Sequence, residues 1–128
     1  MVLKMALAVG AGSFIGGVLR YLVAVGMQAT LTGHFPWHTF AVNLIGCFGI
    51  GMVMGCFARG GLSNEWTLFL ATGVLGGFTT FSAFSHETLA LLRERHIASA
   101  LLYVVGSVSL GLAATWLSYR LVVGRPGA

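Results

Sequence analysis

The 128-residue sequence contains no aspartate, and its three carboxylates are Glu65, Glu87 and Glu94. Only 8% of the chain is charged. These shortages leave little room for solution chemistry. There is no nucleotide-binding loop. Ser85, His86 and Glu87 are adjacent, but triads depend on spatial geometry, which adjacency does not supply. His86-Glu87 lacks the second histidine of a His-Glu-x-x-His zinc helix. Catalysis therefore has no support. Cys47 and Cys56 do not form a disulfide framework or a Cys/His zinc pattern, and read as small buried apolar residues. The seven basic residues are scattered rather than clustered, which excludes a nucleic-acid surface. No soluble linker, low-complexity run or tandem repeat is present.

What is abundant is apolar surface. The chain is 57% hydrophobic, and its mean hydropathy is +0.91. A membrane helix needs about 20 apolar residues. Four runs qualify, over residues 3–27, 37–58, 66–92 and 97–123. The expected fold is therefore all-α: one polytopic membrane domain over residues 1–128, with four transmembrane helices. Lys4 before an apolar run could suggest a signal peptide, but that run exceeds the usual core of about 7–15 residues and contains Arg20. Trp37, Trp66 and Trp116 stand near span ends, as interface anchors do. Ser63 is placed to cap the third span.

Charge sets the orientation only weakly. Lys4, Arg59, Arg120 and Arg125 fall on one side, and Arg93 and Arg95 on the other. So small a bias permits insertion both ways. A protein inserted both ways can form an antiparallel dimer. Gly12 with Gly16, Gly51 with Gly55 and Gly73 with Gly77 form small-xxx-small pairs that let helices approach closely.

The third span is the anomaly. From Gly73 to Phe84 it mixes glycines, threonines, a serine and phenylalanines, and it reads as a helix breaker. Irregular backbone at membrane depth persists only where protein buries it or where it lines a polar path. The broken third helix thus points to an ion or substrate site. Phe78, Phe81 and Phe84 recur every three residues, and aromatic rings present a positive edge that favours anions. Thr79, Ser82 and Ser85 add hydroxyls at the adjacent angle. In the fourth span, Ser99, Tyr103, Ser107, Gly111, Thr115 and Tyr119 form a row that drifts about 40° per step. It is either a hydroxyl ladder for an ion or a packing seam. Asn43, inside the second span, can donate from its amide. Arg20 can draw anions to a pore mouth, snorkel, or pair with Glu87; Glu87 can instead pair with His86 or face water.

The segment Gly76-Gly-Phe-Thr-Thr-Phe-Ser-Ala-Phe84 closely resembles the signature of the Fluc (CrcB) family of bacterial fluoride channels. Gly16-Gly-Val-Leu-Arg20 and Val42-Asn-Leu-Ile-Gly-Cys47 also match, so the resemblance covers nearly the whole chain. It implies an antiparallel dual-topology homodimer in the bacterial inner membrane, with two pores for passive, selective fluoride export. It implies that Phe81 and Phe84 are pore aromatics, that Asn43 is a polar pore residue, and that Tyr103, Ser107 and Thr115 belong to the polar track. Ser82 points toward the same anion path. Arg20 and Glu87 become entrance residues, and the backbone carbonyls of Gly76 and Thr79 hold a structural sodium ion. Gly111 lacks a hydroxyl expected in some relatives. Fluoride is small and strongly hydrated, so its pore must offer donors and ring edges without a basic residue that would trap it. The segment from Gly73 to Phe84 contains none.

Two other readings remain. A four-span multidrug exporter would need a titratable carboxylate deep in the membrane. Spans one, two and four have none, and Glu87 lies late in span three. A scaffold subunit would leave the broken segment and the hydroxyl row with no task beyond packing.

Overall fold

A computed structural model describes residues 1–124, so Arg125, counted above toward orientation, lies outside the described residues. Among the described residues, four helical segments are long and apolar enough to cross a membrane: Val2–Gln28, Trp37–Ala58, Asn64–Arg93 and Ile97–Val123. The chain is a multi-pass membrane protein. We label the first two α1 and α2. The third span is two helices, α3 over residues 64–78 and α4 over Phe81–Arg93, and the fourth is α5. Among the described residues there is no β-strand.

The third span begins where a polar cap allows it. The Ser63 hydroxyl accepts from the Trp66 amide at 3.3 Å, satisfying one of the donors that every helix start leaves open. After one α-turn the backbone widens into a π-helix over Leu68–Leu75, a form that concentrates at functional sites. It tightens again for Gly76–Phe78 and then breaks.

The break corrects the expectation drawn from the glycines. Gly73 and Gly76 lie in helical backbone, and Gly77 does too. The chain leaves the helix only at Thr79 and Thr80, both extended (ψ 157° and 118°). Threonine is β-branched and suits extended backbone. Thr80 then caps α4, its hydroxyl accepting from the Ala83 amide at 3.2 Å. The glycines serve packing. A Cβ on Gly73 would lie 3.0 Å from the Gly12 Cα, and one on Gly77 would lie 2.8 Å from the Ser13 Cα. Here α1 and α3 touch backbone to backbone, as small residues permit in lipid.

The other strong pairing is α2 with α5. Gly51 faces Ser118 and Thr115, and Gly55 faces Val122. Thr115 donates its hydroxyl to the Cys47 carbonyl at 2.9 Å, tying the two helices directly. The charged ends agree with this arrangement. Lys4 pairs with Glu65 at 3.2 Å, and Arg59 donates to the Val122 carbonyl at 2.9 Å.

Candidate functional site

The break opens onto a groove of about 340 Å³ between α2, α3, α4 and α5. Asn43, Gly46, Cys47 and Ile50 form its α2 wall, and Leu75, Gly76, Thr79 and Thr80 its broken wall. Phe81 and Phe84 enter from α4, and Ser107 and Val108 from α5. Among the described residues, no charged side chain lines it.

Asn43 is the joint between α2 and the break. Its Nδ2 donates to the Thr80 carbonyl at 3.0 Å, and its Oδ1 accepts from the Thr80 amide at 2.8 Å. One side chain thus satisfies both backbone groups of a residue outside the helix, where an unmet peptide group is costly. An amide nitrogen carries two hydrogens, so one N–H of Asn43 is not used by that bond. Nearby hydroxyls are partly engaged. Thr79 donates back to the Leu75 carbonyl at 2.9 Å, and Thr80 lies 3.2 Å from the exposed Ser82 hydroxyl.

Ser107 is different. Its Oγ is buried and has no hydrogen-bond partner. A buried hydroxyl normally finds a partner, and leaving one without costs about 1–3 kcal/mol. Ser107 also lines the groove, so the groove contains an unspent donor. The aromatic wall stands beside it. The Phe81 and Phe84 ring centroids are 5.5 Å apart at 44°, and Phe81 is largely exposed. Phe78 does not join them: it precedes the break, is buried, and packs toward Gly16 and Gly46.

Phe84 links the groove to a second polar cluster, its ring 5.0 Å from that of Tyr103. Tyr103 is fully buried and donates its hydroxyl to Glu87 Oε2 at 2.7 Å. Thr39 donates to Glu87 Oε1 at 2.7 Å, and His38 Nε2 lies 3.2 Å from the same oxygen. Short bonds to both oxygens are the strong kind that a carboxylate attracts. The residue facing Glu87 is therefore His38, in place of the Arg20 or His86 considered from sequence. Sequence alone gives no signal for His38 and Thr39. Thr39 stands 48 positions from Glu87, and only folding brings the two together.

The sequence-derived site residues therefore separate into groups. Asn43, Phe81, Phe84, Ser107, Gly76 and Thr79 meet in the groove. Tyr103 and Glu87 adjoin it through Phe84. Ser82 stands beside the break, outside the groove lining. Thr115 faces α2, its donor spent on Cys47, and Gly111 is buried with Cys47 Sγ 3.2 Å from where its Cβ would be. Arg20 is half-buried on α1, away from the groove lining, and makes no ion pair among the described residues.

The break also frees carbonyl oxygens. The Thr80 amide bonds to Asn43, so it does not close the α-helical bond to the Gly76 carbonyl four residues back. Gly76 is exposed, and Thr79 has non-helical backbone. Two such oxygens suit a hard cation in donor type, but fall short of the six or so oxygens such ions collect. A second set of oxygens is needed to complete the shell.

The chain matches the family model described as "CrcB-like protein, Camphor Resistance (CrcB)" over residues 7–119. It is 50% identical over 115 residues to a "Fluoride-specific ion channel FluC" of Thermus thermophilus, covering 90% of this chain and 91% of the relative. It is 49% identical over 111 residues to the protein of that name from Geobacter sulfurreducens, covering 86% and 90%. A Chlorobaculum tepidum protein, also so named, is 50% identical over 114 residues, covering 88% and 90%. With a family match across almost all of its length and relatives at this identity, the chain belongs to the CrcB-like family.

Proposed function

We propose that the protein is a fluoride-selective ion channel that lets fluoride leave a bacterial cell passively across the inner membrane, and is not an enzyme. Relatives matching most of the chain carry that name. The observation that carries the reading is the groove itself. It combines an unpartnered buried serine hydroxyl, an amide and two phenylalanine rings, with no charged side chain among the described residues. Each of these can replace one part of a halide's hydration shell without binding it too tightly to release. The path runs along Phe81 and Phe84, with Asn43 and Ser107 as donors. Ser82, Tyr103 and Thr115 extend its polar track, and Arg20 and Glu87 stand at the entrances.

The working unit is an antiparallel homodimer with two pores, embedded in lipid. The exposed Gly76 face would lie on its twofold axis. There the Gly76 and Thr79 carbonyls of both copies would converge on one sodium ion, whose charge supplies the electrostatic tie between the broken helices.

Reconstituted liposomes loaded with fluoride test this directly with a fluoride electrode. The expected result is fast fluoride efflux with negligible chloride efflux. Phe81→Ile and Phe84→Ile should each lower fluoride flux, by up to about tenfold if the loss of one ring-edge contact costs up to about 1.4 kcal/mol, while the dimer still elutes intact. Proton-driven drug exchange without fluoride flux would overturn the channel reading. Unchanged flux in both variants would overturn the pore assignment.

A further inference from the structure

We propose that His34, Glu94 and His96 form a binding site for a divalent late-transition-metal ion of the zinc class. His34 lies in the connection between α1 and α2, and Glu94 and His96 in the turn between α4 and α5. Their ligand atoms all lie within 4.8 Å of one another. The two imidazoles stack, with centroids 3.8 Å apart and planes 28° apart. His96 Nε2 stands 3.9 Å from Glu94 Oε2. Two loops far apart in sequence thus bring two nitrogens and a carboxylate within 4.8 Å of one another, and a ring rotation would turn the stacked nitrogens onto one ion.

The donor set names the ligand class. Two imidazoles and one carboxylate suit Zn²⁺ and its neighbours, whereas Mg²⁺ and Ca²⁺ take oxygen shells. Three protein ligands leave one tetrahedral position for water.

The turn fixes where Glu94 and His96 stand. α4 ends with the His96 amide on the Leu91 carbonyl at 2.8 Å and the Arg95 amide on the Leu92 carbonyl at 3.1 Å. That closure places Arg95 at φ 61°, a left-handed position. Glycine is the usual occupant there. The end of α2 closes the same way with Gly60, at φ 74°, and the Gly61 amide on the Cys56 carbonyl at 2.9 Å. Arg95 holds that position between Glu94 and His96, so the turn sets the spacing of these two residues. In bound form the ligand atoms would close to about 3.3 Å, the separation set by 2.0 Å bonds in a tetrahedron. His34 and Glu94 are exposed, and Gly33 at φ 123° precedes His34, so the closure moves no packed core.

The test uses the full-length protein in detergent, prepared without a histidine tag and titrated with Co²⁺ while visible absorption is followed. Zn²⁺ competition gives the affinity. One Co²⁺ per chain with tetrahedral bands is expected. His34→Asn, His96→Asn and Glu94→Gln should each weaken binding by about tenfold or more, since even removal of an outer-shell partner costs that much. His86→Asn, an exposed histidine outside the cluster, should bind as the parent does. No Co²⁺ binding by the parent overturns the proposal. So does parent-like binding in any of the three ligand variants, or loss of binding in His86→Asn. Each variant is checked for an unchanged elution volume, and His34→Gln replaces any His34 variant that fails it. The readout does not involve fluoride, so its failure leaves the channel reading standing.

Discussion

The two main helix pairs solve one packing problem in different ways. Between α1 and α3, glycine meets backbone on both sides. A Cβ on Gly12 would lie 2.6 Å from the Phe69 carbonyl oxygen, and one on Gly16 would lie 2.7 Å from the Phe78 nitrogen. Between α2 and α5, glycine meets side chains as well as backbone: Gly51 faces the Ser118 hydroxyl and the Thr115 carbonyl. A Cβ on Gly55 would meet Val122 Cβ at 2.8 Å, and Thr115 spans the gap with a hydroxyl bond. The first pair has nothing that can rotate away. The second adds groups that can be removed one at a time, Val122, Ser118 and the Thr115 hydroxyl. The broken span is therefore positioned by its most rigid contact, with α1, and completed by its most adjustable one, Asn43 of α2.

That contrast can be broken from the rigid side first. Gly16→Leu forces a side chain into the α3 backbone, and overpacking of this kind costs about 3 kcal/mol or more where nothing can yield. The expected outcome is loss of the monodisperse peak in size-exclusion chromatography, with flux lost as well. A folded, conducting Gly16→Leu protein would show that the α1–α3 contact is not the fixed reference. Asn43→Ala probes the joint. It strands the Thr80 amide and carbonyl, at about 1–3 kcal/mol. The apparent melting temperature in detergent should fall, and fluoride flux should fall further than stability does. Thr115→Val probes the adjustable pair. It removes one interhelical hydroxyl bond, worth about 1 kcal/mol. A small drop in melting temperature with assembly intact is expected. A collapse as complete as that of Gly16→Leu would erase the distinction between the pairs.

Much of the architecture is legible in the sequence because its signals are local. Four apolar runs mark the spans. Ser63 announces the cap, and the paired glycines announce close contacts. The location of the break is harder to read because glycine has two uses in membrane helices. The sequence shows flexibility, but whether a glycine bends or packs depends on what faces it. Gly73 and Gly77 face α1, so they pack. The true stop lies in Thr79 and Thr80, whose β-branching and capping chemistry are visible but outweighed by the glycines. The hydroxyl row of α5 is legible as a row but not in its bonding. Ser107 keeps a free donor and Thr115 does not, a difference made by α2 across the interface. The histidines are opaque for the same reason. His38 reaches Glu87, and His34 reaches His96, only through the tertiary fold.

The bond pair between Asn43 and Thr80 also bears on the order of events in biogenesis. The two peptide groups of Thr80 are satisfied by a side chain of another helix. A third span entering lipid before α2 docks has no such partner, and lipid offers no water in its place. Its lowest-energy state at that moment is an uninterrupted helix, in which those groups bond along the segment. The break would then form when the third span docks against α2 and Asn43 takes over the bonds. The site would be created by the docking step that completes the subunit, so a half-assembled chain would have no path through the bilayer.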